Sequence, residues 1–298
     1  MKIDASSPRV STTHPADVQK KSATEKSEPT ASAAPTTTAK TKIHQLSAKL
    51  GVPSHMTFAS TTDKAKAIAN RNRRREEQKL MNLSAILDLA LDVVIADATA
   101  EAIDPDWLYA FADLAENIYS PDMQELWGKI FAVEISRPGS FSLKTLETLR
   151  RLTQKDAKIF TTACRLSSKR MGDPIPRIIT DYHQRKTLSN WFITKRSLPV
   201  NLANYGLSYP SLLTLIDLGL IVSNEIESAE FPLNKSVTFR CGDKNVNIKA
   251  KRSGVALAYY KFTTVGAELS MLAKRHEHAE YLEDMKNVLS RVFIINGE

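Results

Sequence analysis

The chain has 298 residues, 42% of them hydrophobic and 25% charged, an ordinary composition for a soluble globular protein with room for one large domain or two small ones. Its 41 Lys+Arg against 33 Asp+Glu leave a net charge of +8, which suits a polyanionic partner such as nucleic acid or an acidic membrane surface without requiring one. Two cysteines, Cys164 and Cys241, form no CxxC pair, which excludes a zinc ribbon or a thioredoxin-type centre and points to a reducing, cytoplasmic setting.

Residues 1–60 are rich in Ser, Thr, Ala, Pro and Lys, and EKSEPTASAAPTTTAKTK holds no large apolar residue. Such a stretch cannot bury enough surface to offset backbone ordering, so a disordered tail is expected there. The start, MKIDASSPRV, lacks the apolar core of a signal peptide.

From residue 63 the pattern becomes helical. Leu80, Leu83, Leu87, Ala90, Leu91 and Val94 recur at steps of three and four and are expected to face a core, with Asp88 and Asp92 on the wet stripe. Each aspartate would cost about 2.5–3.5 kcal/mol at a bilayer centre, so no membrane span is expected. In DPDWLYAFADLAENI, Asp104 caps a helix and Pro105 enters its first turn. SPDMQELWGKIFAVEI repeats the device with Ser120 and Pro121, and Arg137-Pro138-Gly139 stops that helix. Ser140 or Ser142 opens the next, with Leu143, Leu146 and Leu149 buried, and Thr153 with Asp156 frames a cap before AKIFTTACRL. Residues 63–168 therefore read as a multi-helix bundle.

After a break at MGDPIPR the grammar changes. SYPSLLTLIDLGLI reads as a short helix capped by Ser208 and ended by Gly219, running into a strand. FPLNKSVTFRCGDKNVNIKAKRSGVALAYYKF alternates, with turns at Gly242-Asp243 and Ser253-Gly254, and FTTVGAELSMLAKR returns to helix. This is the order of a winged helix, so residues 169–298 are expected to form a winged-helix-like module with an enlarged hairpin wing and a C-terminal helix. The fold class expected is mainly α: tail, multi-helix bundle, then a winged-helix-like α+β module.

A helix that reads bases in the major groove offers Arg, Lys, Asn or Gln. None occurs between Ser208 and Leu220, and Asp217 would repel phosphate. The hairpin is the better candidate for DNA or RNA backbone contact, through Lys235, Arg240, Lys244, Lys249, Lys251 and Arg252. RNRRREEQ, residues 71–78, supplies a second candidate. On a helix Arg71, Arg74 and Arg75 gather on one side, whereas Arg73 can pair with Glu76 or Glu77.

Catalytic signatures are sparse. His276 and His278 flank Glu277, but a spacing of two separates them by about 200° on a helix, which is not the spacing of a zinc-binding helix. The reading there is a solvated helical segment. His183 has no serine or cysteine tied to it, and Cys164 reads as a core residue. Neither GxGxxG nor GxxxxGK[ST] occurs. Asp88 and Asp92 are the carboxylates kept for a metal-dependent nuclease. Trp107 and Trp127 read as core, the alternative being a stacking platform for bases.

At DPDWLYAFADLAENI, MQELWGKIFAVEISRPGSFSLKTLETLRRLT and YGLSYPSLLTLIDLGLI the chain resembles a family of uncharacterised bacterial proteins, from about residue 70 onward. More distantly, the phrase Leu152-Thr153-Gln154-Lys155-Asp156-Ala157 after a Trp-containing helix is similar to helical domains of the abortive-infection alpha kind. These resemblances imply the architecture and a phage-defence context, and supply no catalytic residue and no cofactor. The expected function is a cytoplasmic, non-enzymatic protein contacting another protein, a second copy of itself or a nucleic-acid backbone. The alternatives are a phage-defence effector or regulator, and a metal-dependent nuclease.

Overall fold

The structure, a computed structural model, describes residues 39–52, 60–93, 101–185, 198–273 and 276–297. Within the stretch expected to lack structure, Ala39–Lys49 forms α1. Its Ala, Lys and Gln residues are good helix formers, and Ile43 and Leu46 fall three apart on one side. None of its residues is buried. Ser60–Glu298 form one compact unit, described below.

That unit begins with α2, Thr61–Asp92, opened by Ser60, whose hydroxyl accepts the Asp63 N–H at 3.2 Å. The line α2 buries is Asn82, Ile86 and Ala90; of the stripe expected from the spacing, Ala90 is buried and Leu83 packs half-buried against the core, while the other described leucines do not. Leu80 is 71% exposed, Leu91 is 70% exposed, and Leu87 is exposed too. Val94 lies outside the described residues. The cause is the helix partner, α4, Pro121–Ser136. At Gly128 of α4 the two helices approach so closely that a Cβ would stand 3.0 Å from Leu89 Cβ and 3.1 Å from the Ile86 oxygen. A ridge at four-residue steps then fits the α4 groove better than the leucines do. Buried Asn82 is satisfied: its amide donates to Glu116 O at 2.9 Å and accepts from Gln78 Nε2 at 2.9 Å.

The caps read from the sequence set the next helices. Asp104 accepts the Asp106 N–H at 2.9 Å ahead of α3, Pro105–Ala115. Ser142 caps α5, Leu143–Arg151, and Thr153 with Asp156 makes a reciprocal capping box on α6, Gln154–Arg165. Ser120 holds the cap position of α4, but its hydroxyl makes no capping bond and accepts from Gln154 Nε2 at 2.8 Å instead. Leu146 and Leu149 are fully buried, whereas Leu143, expected inside, is exposed in the first turn of α5. Trp107, Phe111, Trp127 and Phe131 stack in the core of this layer, with Phe111 centroids 5.2 Å from Trp107, 5.3 Å from Trp127 and 4.9 Å from Phe131.

Among the described residues seven strands follow: β1 Ser168–Arg170, β2 Arg177–Gln184, β3 Ile226–Glu227, β4 Ser236–Cys241, β5 Lys244–Ala250, β6 Val255–Lys261 and β7 Phe293–Gly297. They form one sheet in the order β3-β6-β2-β1-β4-β5-β7, every pair antiparallel. The expected hairpin is present as β4–β5, turned at Gly242 with φ +59°. It does not stand apart, because β1 pairs on one side and β7 on the other. β1, β2 and β7 went unforeseen for a physical reason. The first four residues of β2 are all buried, so the period-two signal of a half-wet strand is missing.

Helix α7, Tyr209–Asp217, is capped by Ser208, and α8, Thr264–Leu269, by Thr263. The LGLI and TTVGAEL phrases meet: Ile221 bridges Phe262, and Thr263 donates its N–H to Leu220 O at 3.0 Å and its hydroxyl to Gly219 O at 2.6 Å. Gly266 lies so close to this crossing that any Cβ would collide with the Leu220 carbonyl. Helix α9, Ala279–Leu289, packs on β2, and Tyr281 donates its hydroxyl to Ile179 O at 2.7 Å. His276, Glu277 and His278 are not helical, contrary to the sequence reading. His278 is the N-cap of α9, and Glu277 is drawn to Lys244 at 2.9 Å on the hairpin.

Candidate nucleic-acid interface

Alternation along a strand sends neighbours to opposite faces, and register aligns side chains across strands. In the β4–β5 hairpin Val237 opposes Ile248 and Phe239 opposes Val246, and all four are buried. The other face pairs Ser236 with Lys249, Thr238 with Asn247 and Arg240 with Asn245. It continues onto β1, where Lys169 stands opposite Arg240, and onto β7, where Asn296 stands opposite Asn247. Arg240, Asn245, Asn247, Lys249 and Asn296 are exposed, while Lys169 and Thr238 are half-buried. No acidic or aromatic side chain holds any of these positions. Three cations thus share a sheet surface with amides and hydroxyls, and Thr238 donates to Asn247 Oδ1 at 2.5 Å.

Beside this face the β1–β2 turn rises to form an open groove of about 770 Å³. Lys169, Arg170, Thr238, Arg240 and Asn245 line it, together with Asp173 and Asp243. Asp173 is already engaged with Arg177, which is buried with its guanidinium 5.0 Å from the Tyr259 ring and 6.0 Å from Phe239. Burial works to raise the Asp173 carboxyl, but the Ile175 N–H and the Arg177 guanidinium bring it below its ordinary value. Asp173 therefore serves the turn.

The candidates from the sequence divide. Arg240 and Lys249 lie on the open face. Lys244 pairs with Glu277, whose carboxyl the Lys244 hydrogen bond holds below its ordinary value. Lys251 donates from Nζ to Ser290 O at 2.5 Å. Lys235 and Arg252 are exposed just outside the strand ends. Arg71, Arg74 and Arg75 are exposed on α2, while Arg73 pairs with Glu77 at 2.8 Å. Sequence reasoning missed Lys169 and Arg170, because nothing in SSKRMG announces a strand and only the β1–β4 pairing brings them to Arg240.

The remaining chemistry-bearing residues have structural work. Trp107 and Trp127 are 4% and 0% exposed, so neither is a stacking platform. Cys164 and Cys241 are thiols pushed up to about 12 by burial. Asp88 and Asp92 stand exposed on α2, and among the described residues no group of three His, Cys, Asp or Glu could hold a metal ion. Among the same residues no helix is long and apolar enough to cross a membrane.

Two glutamates explain the PGSFS phrase. Buried Glu134 accepts the N–H groups of Gly139 at 2.6 Å and Phe141 at 3.0 Å. Glu268, from TTVGAEL, accepts from Ser142 N at 2.8 Å, Ser142 Oγ at 3.0 Å and Thr145 Oγ1 at 2.5 Å. A carboxylate at the start of α5 complements the helix dipole and its free N–H groups. Burial raises the Glu134 carboxyl, the backbone N–H groups oppose that, and Glu268 adds to it. The Leu152–Ala157 phrase is likewise spent on the capping box of α6.

The fold and this surface define a mixed protein, helices with a seven-stranded antiparallel sheet, among the described residues, whose β1-β4-β5 portion carries a cationic polar face. Residues 66–286 match the model of a family described as Protein of unknown function (DUF2806), and the chain belongs to that family. No curated protein and no solved structure matches it.

Proposed function

We propose that the protein is a non-enzymatic, cytoplasmic nucleic-acid-contacting protein that holds the phosphate backbone on the β1-β4-β5-β7 face without reading sequence. One observation supports this most: strand register collects Lys169, Arg240 and Lys249 on a single face free of carboxylates, bordered by a groove that Arg170 also lines. Such a face neutralises phosphates and offers amides as secondary donors. In this reading the winged-helix-like order of α7, hairpin and α8 is kept, but the hairpin acts as part of a wide sheet rather than as a projecting wing. Helix α7 packs Leu212 and Leu215 inward and has no base-reading side chain.

A salt-titrated mobility shift with mixed-sequence duplex tests the proposal. Four phosphate contacts give a slope of about −3.6 in log K against log salt, at about 0.9 per contact. Absence of a shift at low salt defeats the proposal. The phage-defence reading draws only on the Leu152–Ala157 phrase, and a plaque assay with and without the gene tests it.

A further inference from the structure

The leucines that α2 leaves outside the core form a seam of their own. Leu80, Ser84, Leu87 and Leu91 follow one another at steps of four, three and four residues, the spacing that keeps one line of a helix facing a partner helix. Leu80 and Leu91 are 71% and 70% exposed, and Ser84 and Leu87 are exposed between them. The seam runs for about 16 Å at 1.5 Å per residue, on a different side of α2 from Asn82, Ile86 and Ala90, the line that the core takes. Aligned exposed leucines of this kind mark a docking surface rather than a solvated face.

The order of those steps reads the same in both directions. A two-fold axis perpendicular to α2 therefore lays the seam on a copy of itself with every position matched. Leu80 meets Leu91 of the second copy, and Leu87 meets the small Ser84 of the second copy, so the middle of the seam closes without two large side chains colliding. Charge agrees with this direction. The start of the seam is net basic, with four arginines at 71–75 against Glu76 and Glu77, whereas Asp88 and Asp92 flank its end. Antiparallel copies bring each basic end beside the other's acidic end, and parallel copies would stack like on like. The same aspartates disfavour an anionic membrane surface, and leucines offer a phosphate nothing. We propose that α2 pairs antiparallel with α2 of a second copy of this chain through Leu80, Ser84, Leu87 and Leu91. The inference is independent of the backbone-contact reading above.

The test is light scattering coupled to size exclusion on the full chain, across about 1–100 µM protein. Wild type is expected to reach twice the 33.2 kDa of one chain at the upper end. Leu87→Lys, and separately Leu80→Lys with Leu91→Lys, raise the dissociation constant at least about tenfold. These side chains lie outside the core, so thermal melts of the variants at low concentration match wild type. Direction and register are read with cysteine variants under mild oxidation. A mixture of Leu80→Cys and Leu91→Cys is expected to give several times about the disulfide-linked dimer that either variant gives alone, with wild type, carrying only Cys164 and Cys241, as the blank. A monomer throughout the concentration range overturns the proposal. A dimer that survives the lysine variants places the interface elsewhere and overturns it too. Equal or greater linkage by Leu80→Cys alone means parallel pairing and overturns the antiparallel assignment, as does a mixture that gives no linkage.

Discussion

Two basic regions invite comparison: the arginines of α2 and the cations of the sheet. The first is dense in sequence, with Arg71, Arg73, Arg74 and Arg75 inside five positions. In space it is reduced, because Arg73 points away from Arg71, Arg74 and Arg75 and spends its charge on Glu77. The second is scattered through the sequence, yet register sets Lys169 directly opposite Arg240 and gathers Lys249 on the same face. Local charge density along the chain is therefore a poor guide to charge density on the surface. The pairing of distant strands decides the latter.

That contrast depends on the helical layer holding the sheet in place, and the largest expected effect breaks the joint between them. Gly266→Ala forces a methyl into the Leu220 carbonyl, where neither backbone can give, and should cost at least about 3 kcal/mol or abolish folding. Urea denaturation of the purified variant measures it. Glu134→Ala comes next. It leaves the N–H of buried Phe141 without its acceptor, together with that of exposed Gly139, for about 1–3 kcal/mol of lost stability. Glu134→Gln keeps one acceptor oxygen and should cost less.

Glu134 also gives a pH signature. Its folded carboxyl is raised above the unfolded value, so its contribution is fully present below the unfolded pKa and is lost as pH rises through the folded one. Glu134→Gln should flatten that part of the stability–pH curve. Glu277 has the opposite sign: its folded value is lowered, so its contribution holds above the unfolded pKa and fades as pH falls. Lys244→Ala should reduce that acid-side loss, a small effect for a partly exposed pair.

Charge reversal sharpens the comparison directly. Arg240→Glu is expected to weaken duplex binding by about tenfold and to lower the salt slope by about 1, with stability changed by less than about 0.5 kcal/mol. Replacing Arg71, Arg74 and Arg75 together by Ala should change affinity less than that single reversal, although it removes three charges. Should the helix variant instead lose more, the binding surface lies on α2 and the sheet reading fails.

Much of the helical layer was legible because its signals are local. Asp104, Ser142, Thr153 with Asp156, and Ser208 each cap within three residues of themselves, and a proline or glycine marks several ends. The His276–His278 segment misled because its helix starts only at Ala279, three residues after His276, with His278 as the cap. The leucine stripe of α2 misled for another reason. Spacing identifies an apolar face, but the partner chooses which face to bury, and Gly128 made that choice.

The sequence by itself thus determined the caps, the hairpin with its Gly242 turn, the aromatic core of the helical layer and the surplus of positive charge. Tertiary structure alone decided that β1, β2 and β7 extend the hairpin into a seven-stranded sheet, that Glu134 and Glu268 converge on PGSFS, and that Lys169 faces Arg240. The division has one physical cause. Caps and turns are settled by hydrogen bonds between residues a few positions apart, whereas the β1–β4 and β5–β7 pairings and the Glu268 contacts join residues tens of positions or more apart, whose meeting no local pattern encodes.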